Sequence, residues 1–196
     1  MTFRHVPCGT PVNASEQLAI SRIQSKLQPL PGHWVQLSNL CHSSDSMRLS
    51  DEIDQVLIGP QGVFVVEVKH WDLAWIKQQP LVVDDEAERI NEKARRIAGK
   101  LKTAFDPGFV APRFVLTRGD TGVQAGQRMR RRGVPVFGLS ECRDLVDAEG
   151  ATRLSPDQVE RAALLLEPAA RAALTGDLRS RSEERRVGEE CRSRWS

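Results

Sequence analysis

Residues 52–69 constrain the fold more than any other part of the chain. Two apolar runs, Glu52-Ile53-Asp54-Gln55-Val56-Leu57-Ile58 and Val63-Phe64-Val65-Val66-Glu67-Val68-Lys69, flank the turn Gly59-Pro60-Gln61-Gly62. The second run is built of β-branched and aromatic residues, which suit a pleated, buried surface. Gly and Pro between the runs punctuate a tight turn, so the pair reads as an antiparallel hairpin. Side chains alternate along a strand, so Glu67 and Lys69 share a face with Val63 and Val65, and Asp54 shares one with Val56 and Ile58. The hairpin then brings Asp54 beside the strand end that carries Glu67. Burying Glu67 and Lys69 alone would cost several kcal/mol each, which places them at the sheet rim, paired or solvated.

The flanking segments supply the other layers. Asn13 or Ser15 caps a helix with Leu18, Ile20, Ile23 and Leu27 at helical spacing, and Pro29 and Pro31 end it. Trp34–Leu37 reads as a short strand and residues 41–50 as a polar loop. Leu81-Val82-Val83 reads as a further strand, followed by a long charged helix from Asp84 to about Phe105 with Ile90, Ala94, Ile97, Ala98 and Leu101 on one face. Arg113–Leu116 is expected to be a buried strand, Gln124–Arg132 a basic helix, and Val134–Phe137 an edge strand, because Pro135 cannot donate to a ladder. Leu139–Leu145 resembles a short helix, and Ser155 with Pro156 starts a last helix reaching about Leu174. The expected class is α/β, with a mixed central sheet and flanking helices. The early strand meander argues against a doubly wound nucleotide-binding fold, and neither Gly-x-Gly-x-x-Gly nor a Walker sequence is present.

Composition narrows the setting. The 196 residues are 40% hydrophobic and 28% charged, as expected of a soluble domain with its own core. No apolar run approaches the roughly 20 residues of a membrane helix, and the N-terminus lacks the apolar stretch of a signal peptide, so a cytoplasmic location is the default expectation. Cys8, Cys41, Cys142 and Cys191 form no C-x-x-C pair, which leaves thiols in a reducing compartment. The net charge of +2 is too small to imply a nucleic-acid partner, so any DNA binding must come from a local patch. Residues 181–196 resemble a translated sequencing adapter, with Glu189 as the one departure. That tail holds five Arg and four Glu, so without it the chain has 23 basic and 22 acidic residues. A basic arm for nucleic acid is the competing reading of the tail. The expected organisation is an N-terminal arm (1–11), a main domain (12–145), a C-terminal helix and linker to a further domain (146–180), and the adapter-like tail.

Two carboxylates beside one ammonium are what metal-assisted phosphodiester hydrolysis uses. Asp54 and Glu67, with the backbone carbonyl of Val68, could hold Mg²⁺ or Mn²⁺, since hard cations take oxygen ligands. Such an ion activates water and offsets charge on the scissile phosphate. Lys69 could orient the water or stabilise the developing charge, and Glu16 on the first helix could add a carboxylate. The same Glu-x-Lys pair also fits an exposed salt bridge worth about 0–1 kcal/mol. Arg128, Arg130 and Arg131 could contact phosphates, as could Lys93, Arg95, Arg96, Lys100 and Lys102 on the long helix; a solvated face is the alternative. His70 points away from Glu67 and Lys69 on the strand, which suits a structural role, and Trp71 and Trp75 are expected to cover the sheet edge.

Ser15-Glu16-Gln17-Leu18, Glu52 to Gly59, Gly62 to Lys69 and Trp71 together resemble the nuclease-related domain of the PD-(D/E)xK nuclease superfamily, over roughly residues 12–145. The resemblance implies a restriction-endonuclease-like α-β-β-β-α-β core and Mg²⁺-dependent DNA cleavage. By position Glu16, Asp54, Glu67 and Lys69 match the residues that carry activity. It also implies fusion to a kinase or helicase domain, in some cases within phage defence, and the superfamily includes domains that only bind. Asp72-Leu73-Ala74 and Asn91-Glu92-Lys93-Ala94-Arg95 depart from the family's usual Gly and Gln in those regions.

Overall fold

The computed structural model of the chain describes residues 2–41, 52–102, 110–121, 128–147 and 154–167. Seven strands, β1 (Thr2–Pro7), β2 (His33–Cys41), β3 (Glu52–Gly59), β4 (Gly62–Lys69), β5 (Val110–Leu116), β6 (Arg130–Arg131) and β7 (Val134–Gly138), form one sheet in the order β1-β2-β3-β4-β5-β7-β6. The helices are α1 (Ala14–Leu27), α2 (Leu73–Gln78), α3 (Pro80–Leu101) and α4 (156–167). The sheet is mixed: β2–β3, β3–β4 and β6–β7 pair antiparallel, while β1–β2, β4–β5 and β5–β7 pair parallel. This seven-stranded sheet with helices on both faces is consistent with a nuclease-like fold.

Alternation along the central strands assigns the two faces. Val35, Leu37, Val56, Ile58, Val63 and Val65 pack against α3 and α4. Trp34, Leu57, Phe64, Val66 and Val115 pack on the other face against Ile23 and Leu27 of α1 and against Leu145 and Val146. β4 is therefore buried on both faces until Lys69.

The helix starts follow from local chemistry. The Asn13 side chain accepts from the Glu16 N–H, so Asn13 rather than Ser15 is the cap of α1. Ser155 caps α4 by accepting from the Gln158 N–H at 3.3 Å, and Gln158 Oε1 accepts from the Ser155 N–H at 2.8 Å. That reciprocal pair is a capping box. The expected extension of α4 to Leu174 lies outside the described residues.

Four expectations need correction. Leu81-Val82-Val83 is the first turn of α3, not a strand. Pro80 at the first helical position presets φ, and Val83, Ala87, Ile90, Ala94, Ile97 and Leu101 bury one stripe at helical spacing. Leu81 and Val82 remain exposed, so the β-branched run yielded to the longer period. The expected helix over Gln124–Arg132 is replaced, where the chain is described, by β6. Arg132 and Gly133 both have positive φ, the geometry of a two-residue hairpin turn linking β6 to β7. Accordingly β7 is not an edge strand; Pro135 falls just before the β5 ladder, which starts at Val136. Leu139–Leu145 forms two short 3-10 turns, Leu139–Glu141 and Asp144–Val146, rather than one helix. In addition β1, which the sequence patterning did not reveal, adds a parallel strand beside β2.

The hairpin turn is sealed by a close approach. A Cβ at Gly59 would lie 2.2 Å from the buried Trp34 ring. Gly59→Ala is expected to destabilise the protein by about 1–3 kcal/mol, the usual range for overpacking a core. Urea unfolding at neutral pH measures this; an unchanged midpoint would mean that the Trp34 ring can move aside.

Candidate active site

The site lies where the sheet forks. The β3–β4 ladder ends at Gln55↔Val66, yet β3 continues beside β2 to Glu52 and β4 continues beside β5 to Lys69. The Asp54 side chain stands in the gap, and its Oδ2 accepts from the Val68 N–H at 2.6 Å. The next rung of the ladder would have used that amide. A strand residue's N–H and C=O point to the same side, so the Val68 carbonyl also faces the fork. Gly59, Pro60 and Gln61 turn the chain tightly enough that Asp54 and Glu67 meet at the far end of the hairpin.

A chain of alternating charges fills the fork. Lys69 Nζ donates to Glu67 Oε1 at 3.2 Å and to Glu86 Oε2 at 2.7 Å. Lys93 Nζ donates to Glu67 Oε2 at 2.8 Å. Glu86 and Lys93 come from α3, two turns apart, and lie over the strand-borne pair. The side chains of Glu67 and Lys69 are 11% and 19% accessible, so this is not an exposed salt bridge. Lys69 also stands 5.6 Å from the Trp71 ring, which is stacked on Trp75 and packed on the core.

Burial, opposed by specific partners, sets the ionisation. Burial and the Glu67 charge push Asp54 up to about 8, against the Val68 hydrogen bond and the Lys93 charge. Burial also raises Glu52, with Glu16 and Glu67 adding to it; Asn39 beside Glu52 acts the other way, although neither Asn39 amide atom completes a hydrogen bond. Burial alone would lower Lys69, but Glu67 and Glu86 outweigh it and hold the ammonium above its ordinary value. Burial alone would raise Glu86, but its bond to Lys69 wins and keeps it ionised below its ordinary value.

The other sequence-derived candidates are more scattered. Glu16 is turned to its own helix end: its carboxylate accepts from the Val12 N–H and the Asn13 Nδ2, each at 2.7 Å. Only its charge reaches the fork. Arg95 and Arg96 are exposed on α3, and Arg95 borders a recess of about 300 Å³ with Asn91, Val110 and Pro112. Arg130 is exposed on β6 and Arg131 half-buried beside it. Arg128 is committed internally: it bonds Asp144 at 2.9 Å and Glu141 at 3.5 Å and lies 4.0 Å from the Phe137 ring. His70 bridges Ser15 and Thr117 at 2.9 Å each, which is a structural position. Asp72 caps α2 through the Trp75 N–H. Two members of the network, Glu86 and Lys93, were not assigned to the site by sequence reasoning. Their spacing along the buried stripe of α3 was the available signal, but which neighbours that stripe meets is a tertiary fact. Among the described residues, no group of three His, Cys, Asp or Glu side chains is gathered tightly enough to hold a metal by side chains alone.

The sequence model of the nuclease-related domain (NERD) family matches residues 12–117, more than half of the chain. The chain belongs to the nuclease-related domain family. The NERD match runs from α1 through β5 and so contains the whole fork, Glu86 and Lys93. No curated protein and no solved structure matches the chain. Membership makes a nuclease-related function and an interaction with nucleic acid the coarse conclusion for this NERD domain. No helix among the described residues is long and apolar enough to cross a membrane.

The raised Asp54 has a consequence for stability. An acid whose folded pKa lies above its unfolded value leaves stability intact at low pH; the cost grows from about pH 4 to about pH 8 and then levels off. Asp54→Asn keeps an acceptor for the Val68 N–H and removes this titration. Without divalent ions, the variant is expected to match wild type near pH 4 and to become the more stable of the two as the pH rises to 8. Urea unfolding at both pH values measures the difference, and a gap independent of pH would mean that Asp54 is not raised.

Proposed function

We propose that this NERD domain is a Mg²⁺- or Mn²⁺-dependent phosphodiesterase of the PD-(D/E)xK type that cuts DNA, with the β3–β4 fork as its active site. The observation that carries this reading is the convergence of Asp54, Glu67 and Lys69 on one face at the point where two strands part. The donor set suits a hard cation. Asp54 Oδ1 carries no hydrogen bond among the described residues, the Val68 carbonyl faces the gap, and Asp54 is half-buried beside a second carboxylate that makes its own charge unfavourable. Asp54, Glu67 and the Val68 carbonyl would hold the ion, which supplies an activated water and charge compensation at the phosphate.

The remaining work falls to the chain's own groups. Lys69 is a fixed, fully charged donor, oriented by Glu86 and Glu67, and can present its N–H to the attacking water or to a phosphate oxygen. Glu86 thereby positions Lys69 without touching the substrate. Arg95 and Arg96 on α3 and Arg130 on β6 offer exposed charge for the DNA backbone; Arg131 is half-buried, and Arg128 would have to leave Asp144 to join them. Glu16 contributes through its field rather than as a ligand in this arrangement. Neither Cys8 nor Cys142 forms a disulfide, and both are buried, which supports action in a reducing compartment such as the cytoplasm.

A second reading has its own observation. Both oxygens of Glu67 are held by lysines, so the fork is charge-balanced without a metal. That favours a DNA- or partner-recognition module that directs a fused kinase or helicase domain.

Cleavage of supercoiled plasmid with Mg²⁺ or Mn²⁺ separates the two. Wild type is expected to nick the plasmid, and Lys69→Ala and Glu67→Gln are each expected to lose at least about 100-fold in rate while circular dichroism shows a retained fold. Equal cleavage by wild type and Lys69→Ala would remove Lys69 from the mechanism. DNA binding by wild type without any cleavage in either metal would select the recognition module.

A further inference from the structure

We propose that the Lys93 ammonium is a tethered counter-ion that occupies the cation position of the fork and must leave before a divalent ion enters. The inference rests on the divalent-cation reading above. α3 carries Glu86 and Lys93 seven residues apart, which sets Glu86 over Lys69 and Lys93 over Glu67. Glu67 has both oxygens in charge-assisted bonds, to Lys69 at 3.2 Å and to Lys93 at 2.8 Å. Each oxygen keeps a second lone pair, but a divalent ion placed on it would stand within a few ångströms of an ammonium, and that repulsion sets metal and lysine in competition for Glu67.

The two lysines are not equivalent. Lys69 leans towards Glu86, its closer partner at 2.7 Å, and stays anchored if Glu67 lets go. Lys93 is the closer cation on Glu67, and Glu67 is the partner it bonds in this arrangement. Its charge also acts on Asp54, Glu52 and Glu86, so the ammonium lies inside the acidic group rather than at its margin. The Lys93 side chain is only 12% accessible, too little for an ammonium to be satisfied by water alone. The stem that delivers it is a flexible four-carbon chain on α3, so the charge can leave Glu67 by side-chain rotation while the helix stays in place. Lys93 thus neutralises buried carboxylates while the site is empty and competes with a metal for the same oxygens.

Titration calorimetry of the full chain with MnCl₂ at fixed pH tests this. Lys93→Met is expected to bind Mn²⁺ at least about tenfold more tightly than wild type, because a unit charge a few ångströms from the ion is removed from a partly buried site. Lys93→Gln, which keeps a donor for Glu67 and guards against a loss of folding in the Met variant, is expected to tighten binding by a smaller factor. Arg22→Met, the same loss of charge at an exposed position on α1, is expected to leave the Mn²⁺ affinity unchanged. Binding of equal strength in wild type and both Lys93 variants, or equal tightening in Arg22→Met, overturns the tethered counter-ion and leaves the divalent-cation reading standing. Absence of Mn²⁺ binding in folded Lys93→Gln and Lys93→Met overturns both.

Discussion

The hydrogen bond from the Val68 N–H to the Asp54 carboxylate is the constraint on which the rest of the site depends. A sheet interior satisfies its amides with backbone carbonyls, and an unpaired one is costly. Where β4 parts from β3, the amide of Val68 loses that partner, and a side chain takes the carbonyl's place. The strands can then diverge without leaving an orphaned donor. The divergence in turn opens room between two carboxylates that a continuous ladder would have held flush. Fold and site are thus joined at one atom pair: without an acceptor at position 54, the two strands would have to zip further or leave the Val68 amide bare.

Charge is handled in the same spirit. The strands set the carboxyl groups of Asp54 and Glu67 beside one ammonium, Lys69, and α3 adds one charge of each sign. Glu86 fixes Lys69 as a donor with a defined direction, and Lys93 quiets Glu67. Removing any one member takes at least one partner from a partly buried charge, which costs more than an exposed pair could return. The order of residues along this line, Lys93–Glu67–Lys69–Glu86, alternates helix and strand in its outer pairs. The packing of α3 on the sheet and the ionisation of the site therefore cannot be set independently.

The hairpin and its trio of charged residues were legible in the sequence because both are local. A period of two, glycine-bounded turn residues and a short loop decide which side chains share a face, and no distant contact is needed to place Asp54 beside Glu67. The cap at Asn13 was legible up to a choice between two acceptors for the same reason. Leu81–Val83 misled because β-branched residues favour strands only when nothing longer competes, and here a stripe of six buried residues and Pro80 did compete. Glu86 and Lys93 were hidden for a different reason: the rotation of a helix over a sheet is fixed by packing with residues far along the chain. β1 was hidden because its partner is parallel and lies some thirty residues away, beyond the reach of any turn signal.

β1 and α4 both lie outside the stretch that matches the family, yet they clasp each other: Arg4 of β1 reaches Glu160 and Glu167 of α4, and His33 of β2 also meets Glu160. The Leu154 N–H, just ahead of α4, donates to the Pro60 carbonyl in the hairpin turn itself. A chain trimmed to the family's own limits would lose this buckle and bare both flanks of the remaining strands, β2 on one side and β5 on the other. Bare flanks are templates for sticking to other chains. The chemistry of such a piece would then be carried by a body with two freshly opened strand edges, so the segments that carry none of the chemistry serve to cover them.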